Sequence, residues 1–217
     1  MIIMNYKAIA IITLFIIPSL FCVKASAGNY TEVMQQHIEK MYKAKTAREL
    51  SAISGVFYRV AEKESDAWLP LYYSAYSLVR IAFFTKDREE IDKYLDMAQA
   101  YVTKLKEARP EESEVYVLQA LLYSMRISGA MSGMKYSTLS NEELDQAEKL
   151  NKNNPRIYYC RGNNVFHTPS LFGGGKGKAK PLFEKAINLF ESEQYETPFW
   201  PSWGHWHTKQ MLEQCNN

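Results

Sequence analysis

The chain has 217 residues, enough for one domain with a real core. Its 47% hydrophobic and 23% charged content is that of a globular protein, and fifteen Tyr with four Trp exclude a disordered chain. The net charge of +2 includes Lys7 and Lys24; without them it is zero, which excludes the basic footprint of a nucleic-acid or anionic-lipid binder.

Those two lysines belong to a leader. Met1 to Lys7 is short and carries one Lys, Ala8 to Val23 is almost wholly apolar, and Ala25-Ser26-Ala27 offers small residues for cleavage. The apolar run of about 16 residues contains Pro18 and is short of the roughly 20 that span a bilayer. The expectation is a signal peptide over 1–27, cleaved after Ala27, and an exported, periplasmic domain over 28–217 without stable membrane insertion. Bulky Phe21 before Cys22 argues against lipid attachment there. Cys160 and Cys215 remain, either as a disulfide or as two small apolar core residues.

In the mature chain, Val33, Met34, Ile38, Met41 and Tyr42 recur at helical spacing. Thr46 with Glu49 reads as a capping box for a second helix striped by Leu50, Ile53, Phe57 and Val60. Trp68 to Phe84 is a long apolar helix, with Pro70 tolerable in its first turn. Asp87 starts the next helix, which Pro110 closes. Glu114 to Ile127 follows, then a Ser/Gly/Met-rich stretch. Ser140 with Glu143 reads as a second capping box, opening a helix to about Leu150. Asn154 to Phe190 gives two helices around a glycine-rich break. An aromatic coil, Tyr195 to Trp203, leads to a last helix near 204–215. No segment alternates with period two, so the fold class is all-α, with helices in antiparallel pairs.

Tyr158, Gly162, Ala179, Phe183 and Ala186 lie where a helical-repeat unit needs small residues for close approach and aromatics to fill the gaps. Tyr116, Ala120, Tyr123, Leu144 and Ala147 repeat the pattern, and Trp68, Leu71, Ala98 and Val102 repeat it more weakly. On these residues the chain resembles the tetratricopeptide-repeat family, with units near 66–110, 113–151 and 155–190. It departs from that family at Arg161 and Val165, and its anchors Trp68, Tyr116 and Tyr158 are spaced too widely. YSMRISGAMSGMKYSTLS, TPSLFGGGKGKA and the terminal Trp-Gly also resemble exported helical-repeat proteins of Bacteroidetes-type bacteria. The resemblance implies stacked helix pairs in a short right-handed α-α superhelix with a concave groove.

Chemistry is sparse. Gly173 to Lys178 lacks the first glycine and the Ser/Thr of a phosphate loop and follows no strand. Gly174, Gly175 and Lys176 stay as a candidate anion loop, against a plain inter-helix turn. His205 and His207 diverge around a helix, so Trp203 and Trp206 are expected to cover the last repeat instead. No nucleophile, metal or cofactor motif stands out, and an enzyme is not expected. Transferred from the repeat family, the groove would be lined by Tyr73, Tyr76, Leu121, Ser124, Met125, Tyr159, Asn163, Phe166 and His167, with Leu69, Ser77 and Val117 beside them. Aromatics with polar tips suit recognition. The leading expectation is a module gripping a peptide or partner protein in that groove. The alternative is a periplasmic small-ligand-binding accessory, for example for uptake, marked by a deep pocket under 129–140 or 169–178.

Overall fold

The structure, a computed structural model, describes residues 25–217. The expected signal peptide lies outside them apart from its last three residues, which open the first helix. Among the described residues there are nine α-helices and no strand. They are α1 (Ala25–Lys43), α2 (Ala47–Lys63), α3 (Trp68–Arg80), α4 (Arg88–Ala108), α5 (Ser113–Met125), α6 (Ala130–Leu150), α7 (Pro155–His167), α8 (Lys176–Ser192) and α9 (His205–Asn216). Neighbours in sequence pack as antiparallel pairs, as the apolar periodicity requires.

Local chemistry sets most helix starts. Thr46 and Glu49 form the reciprocal capping box of α2. Asp87 Oδ1 accepts from the amides of Glu89 and Glu90 to start α4. Asn154 accepts from Arg156 N at the start of α7, with Pro155 at its first position. The capping box expected at Ser140 is not formed. α6 already begins at Ala130, and Ser140 is a buried interior residue whose hydroxyl meets Ser124 and Asn164. Ser132 starts α6 instead, its hydroxyl accepting from the amides of Ser128 and Gly129.

The inner helices α3, α5 and α7 run parallel and in register. Near their N-terminal ends, Tyr72 bonds to Glu114 and Glu114 to Arg156, 42 residues apart in each case. Near their C-terminal ends, Ser124 Oγ donates to Asn164 Oδ1 at 2.9 Å. Tyr116 and Tyr158 are equivalent: each hydroxyl donates to the carbonyl six residues earlier. In that register the α3 equivalent is Ser74 rather than Trp68, which lies in the first turn of α3. Ser74 exchanges hydroxyl-to-carbonyl bonds with Ser54, drawing α2 and α3 together. Gly162 serves the same end between α7 and α8, where a Cβ would stand 2.6 Å from the Phe183 ring.

Cys160 is buried in the core and Cys215 packs at the edge of a smaller cluster around Phe183 and Met211; both are free thiols.

The glycine-rich break is a tight reversal. Gly173 and Gly175 adopt φ of 87° and 104°, a region glycine enters without a Cβ clash. A Cβ on Gly174 would lie 2.1 Å from the Thr168 carbonyl oxygen, whereas Gly177 has open space around it. Gly174→Ala is therefore expected to destabilise the fold by about 2 kcal/mol or more. Gly177→Ala, in the first turn of α8, should change it by less than about 1 kcal/mol. Paired urea melts of the two variants check the contrast.

Candidate functional site

The inner face of α3 and α7 is occupied by the chain itself. The coil between α8 and α9 crosses it as a strap of aromatic residues. Tyr73 Oη donates to the Phe199 carbonyl at 2.9 Å, and Trp203 Nε1 donates to Tyr72 Oη at 2.8 Å. The Trp203 ring stacks on Tyr76 at 5.2 Å and meets Tyr159 edge-on at 5.9 Å. Trp200 packs on Trp68, and Phe199 on Tyr30. Burial pushes the Tyr72, Tyr73 and Tyr76 hydroxyls well above the ordinary phenol range, so they stay protonated donors.

Arg156 ties the strap down. Its side chain is fully buried and reaches Glu114 at 3.1 Å, both oxygens of Glu193, and the Pro201 carbonyl. Its guanidinium also lies over the rings of Phe190 and Trp203. Asn154 Nδ2 and Tyr72 Oη donate to the Glu114 carboxylate as well. Burial still pushes the Glu114 carboxyl up to about 7, against the downward pull of Arg156.

The strap decides the fate of the candidate groove residues. Tyr73, Tyr76, Leu121 and Tyr159 are buried. Ser124, Met125, Asn163 and Phe166 are half-buried, and His167 is exposed. Asn163 turns its amide back to the Tyr159 carbonyl, and Tyr159 Oη meets His207 Nδ1 at 3.0 Å. His205 stacks on Phe190. Trp203 packs on Tyr76 of α3 and Tyr159 of α7, whereas Trp206, expected beside it as a cover, is 71% exposed. Residues 130–140 are helical and 169–175 fold back on the end of α7, so neither roofs the groove. A cleft of about 310 Å³ lies at the opposite edge, between Trp68, Leu71, Leu105 and Arg109.

What remains open is the edge where α5 and α7 end. The amides of Gly174 and Gly175 are committed to the carbonyls of Pro169 and Val165, so they face inward and offer nothing to an anion. That closure leaves the 3-10 turn Ser170–Phe172 as the tip, with Leu171 89% and Phe172 76% exposed. On the neighbouring hairpin, Met131 and Met134 are 88% and 77% exposed. These are the four most exposed of the large apolar side chains among the described residues. The chain around them carries no carboxylate from 115 to 141 or from 149 to 183. Lys135, Lys176 and Lys178 flank the apolar residues and are exposed. Sequence reasoning missed this edge. Its signal was the acid-free composition around apolar residues placed beside glycines, where a turn would expose them.

No family model matches the chain, and no curated protein matches it. Among solved structures, the chain is similar to the HusA haemophore from Porphyromonas gingivalis, a Bacteroidetes bacterium. The TM-score is 0.77 and the identity 28%, over 86% of this chain and 92% of that one. This corrects the leading expectation. A haemophore is a ligand carrier, and the groove expected to grip a peptide or partner protein is filled by residues 199–203 of the same chain. The likeness supports the alternative, small-ligand uptake.

The buried Glu114 gives a pH test of the strap. An unfolded Glu titrates near pH 4.3, and the folded carboxyl holds its proton to about 7. The stability linked to it is present at acid pH and is lost as pH rises through about 7. The melting temperature should fall between about pH 5 and about pH 8, and Glu114→Gln should flatten that fall by removing the titrating group. Melts of both proteins across that range check it.

Proposed function

We propose that this protein is an exported carrier of a haem-type porphyrin, acting as a small-ligand-binding accessory to uptake rather than as an enzyme. The likeness to a haemophore along nearly the whole of both chains carries the reading. The physical fit adds to it. A porphyrin of this type is a flat apolar ring with carboxylates on one side. The edge presents Met131, Met134, Leu171 and Phe172 to such a ring, and Lys135, Lys176 and Lys178 to its carboxylates. Methionines adapt to a planar surface because their side chains are unbranched and polarisable. Lys176 keeps a role here through its side chain, in contrast to the amides of Gly174 and Gly175.

Two further parts belong to this reading. The leader over 1–27 directs export, in keeping with an uptake accessory, and none of the described helices is long and apolar enough to cross a membrane. The 42-residue register of α3, α5 and α7 supports a tetratricopeptide-like array with lengthened units.

Titrating the protein that starts after Ala27 with haem should give saturable binding, read from the porphyrin absorbance. Leu171→Ser with Phe172→Ser should weaken it by about tenfold or more, since each apolar side chain covered contributes roughly 1.5–3 kcal/mol. The melting temperature should hardly move, because both residues are exposed in the free protein. Absence of saturable binding by the unaltered protein sinks the reading.

A further inference from the structure

One guanidinium lacks the partner that its counterparts have. Among the described residues, five arginines are wholly or partly buried: Arg80, Arg88, Arg126, Arg156 and Arg161. Arg88 pairs with Asp92, Arg126 with Asp96, Arg156 with Glu114 and Glu193, and Arg161 with Asp145 and Glu148. Arg80, at the end of α3, pairs with no carboxylate of the described residues. Its Nη1 donates to the Met41 carbonyl in the last turn of α1 at 2.9 Å. Its other guanidinium nitrogens are neither bonded to the described residues nor buried. Three rings frame the group: the guanidinium carbon lies 5.4 Å from the ring centre of Tyr42, 6.0 Å from that of Tyr76 and 5.9 Å from that of Phe84. Tyr76 is buried, whereas Tyr42 and Phe84 are exposed. Tyr42 also meets the strap, its hydroxyl 3.4 Å from Ser202 Oγ. The three segments that come together here carry no carboxylate from 40 to 48, from 67 to 86 or from 197 to 212.

We infer that Arg80 anchors a second binding site, which takes a flat apolar ring carrying a carboxylate: the carboxylate on the free nitrogens of the guanidinium, the ring against Tyr42 and Phe84. A guanidinium is a planar fork that matches a carboxylate with two parallel hydrogen bonds. The chain supplies no acid of its own to fill that fork, so an incoming carboxylate has no internal competitor. The two exposed rings add an aromatic surface beside the charge, which suits a flat apolar body. The aromatic frame and the Met41 bond also hold the side chain in place before any ligand arrives, which lowers the ordering cost of binding. None of this depends on the apolar residues at Leu171 and Phe172. A porphyrin and a smaller aromatic acid share the chemistry, and the test separates them.

The test titrates the protein that starts after Ala27 with 2-naphthoate and with its neutral counterpart 2-naphthamide, following the NMR signals of Tyr42, Arg80 and Phe84. Naphthoate should saturate those shifts and bind about tenfold more tightly than the amide, since its bonds to the guanidinium are charge-assisted. Arg80→Met should bring that preference to about one while leaving the amide unaffected. Arg80→Lys, which keeps the charge but not the fork, should lower the preference. It carries the test alone if melting shows Arg80→Met to be unfolded. Phe84→Ala should weaken both ligands alike, and Leu171→Ser with Phe172→Ser should change neither. Displacement of naphthoate by protoporphyrin names a porphyrin as the occupant; no displacement names a smaller aromatic acid. The inference is overturned if naphthoate does not saturate these signals, if both ligands bind the unaltered protein equally, or if the folded Arg80 variants keep the full preference. Failure of the carrier reading shows separately, as absence of haem binding.

Discussion

The buried contact between Arg156, Glu114 and Glu193 is the constraint on which the rest of the architecture depends. Taking three charges out of water costs several kcal/mol per ion unless each is paired and hydrogen-bonded. Here Arg156 meets two carboxylates and a backbone carbonyl, and Glu114 receives further bonds from Asn154 and Tyr72. The cluster joins parts of the chain that helix packing alone would leave free to slide. Tyr72, Glu114 and Arg156 hold three inner helices at one level, and Pro201 holds the strap against them. Losing Arg156 would leave two carboxylates buried without a cation, which typically costs about 3–5 kcal/mol.

Because the cluster sits near the N-terminal ends of α3, α5 and α7, it closes that half of the inner face. Trp203 and the backbone of Phe199 and Trp200 fill the space between Tyr73, Tyr76 and Tyr159. Tyrosines that looked like recognition residues are therefore donors and stacking partners for the protein's own coil. The carrier site we propose lies at the other end, where the inner helices stop and the chain reverses. The displacement follows from parallel alignment: when three helices share a register, their last turns form one continuous rim.

Periodicity made the helices legible, together with the cap at Thr46 and the helix start at Asp87. The Ser140 box failed because Tyr136 stacks on Tyr123 and Ser140 bonds across to α5 and α7, so tertiary contacts carry α6 ten residues further back than local chemistry signalled. Trp68 misled the repeat alignment because its aromatic ring resembles the anchors Tyr116 and Tyr158, while the true equivalent is the small Ser74. The strap was visible only as an aromatic coil. Nothing in its local pattern announces that Arg156 lies 45 residues away in sequence yet bonds to Pro201. The apolar edge was half-visible, since Leu171 and Phe172 stand beside glycines that forbid a helix from burying them.

A protein that leaves Met131, Met134, Leu171 and Phe172 more than three-quarters exposed accepts a risk of self-association. The surrounding sequence shows how that risk is contained. The apolar residues are split between two hairpins rather than joined in one strip, and exposed lysines stand beside each pair. Net cationic charge without carboxylates repels a second copy of the same edge, while it attracts a carboxylate-bearing ring. Lysines in the first turn of α8 work against the helix dipole, and no acidic residue of that turn offsets them. Such a local cost, kept at the rim where apolar side chains are also left uncovered, fits the proposed role of this rim in holding an apolar anion.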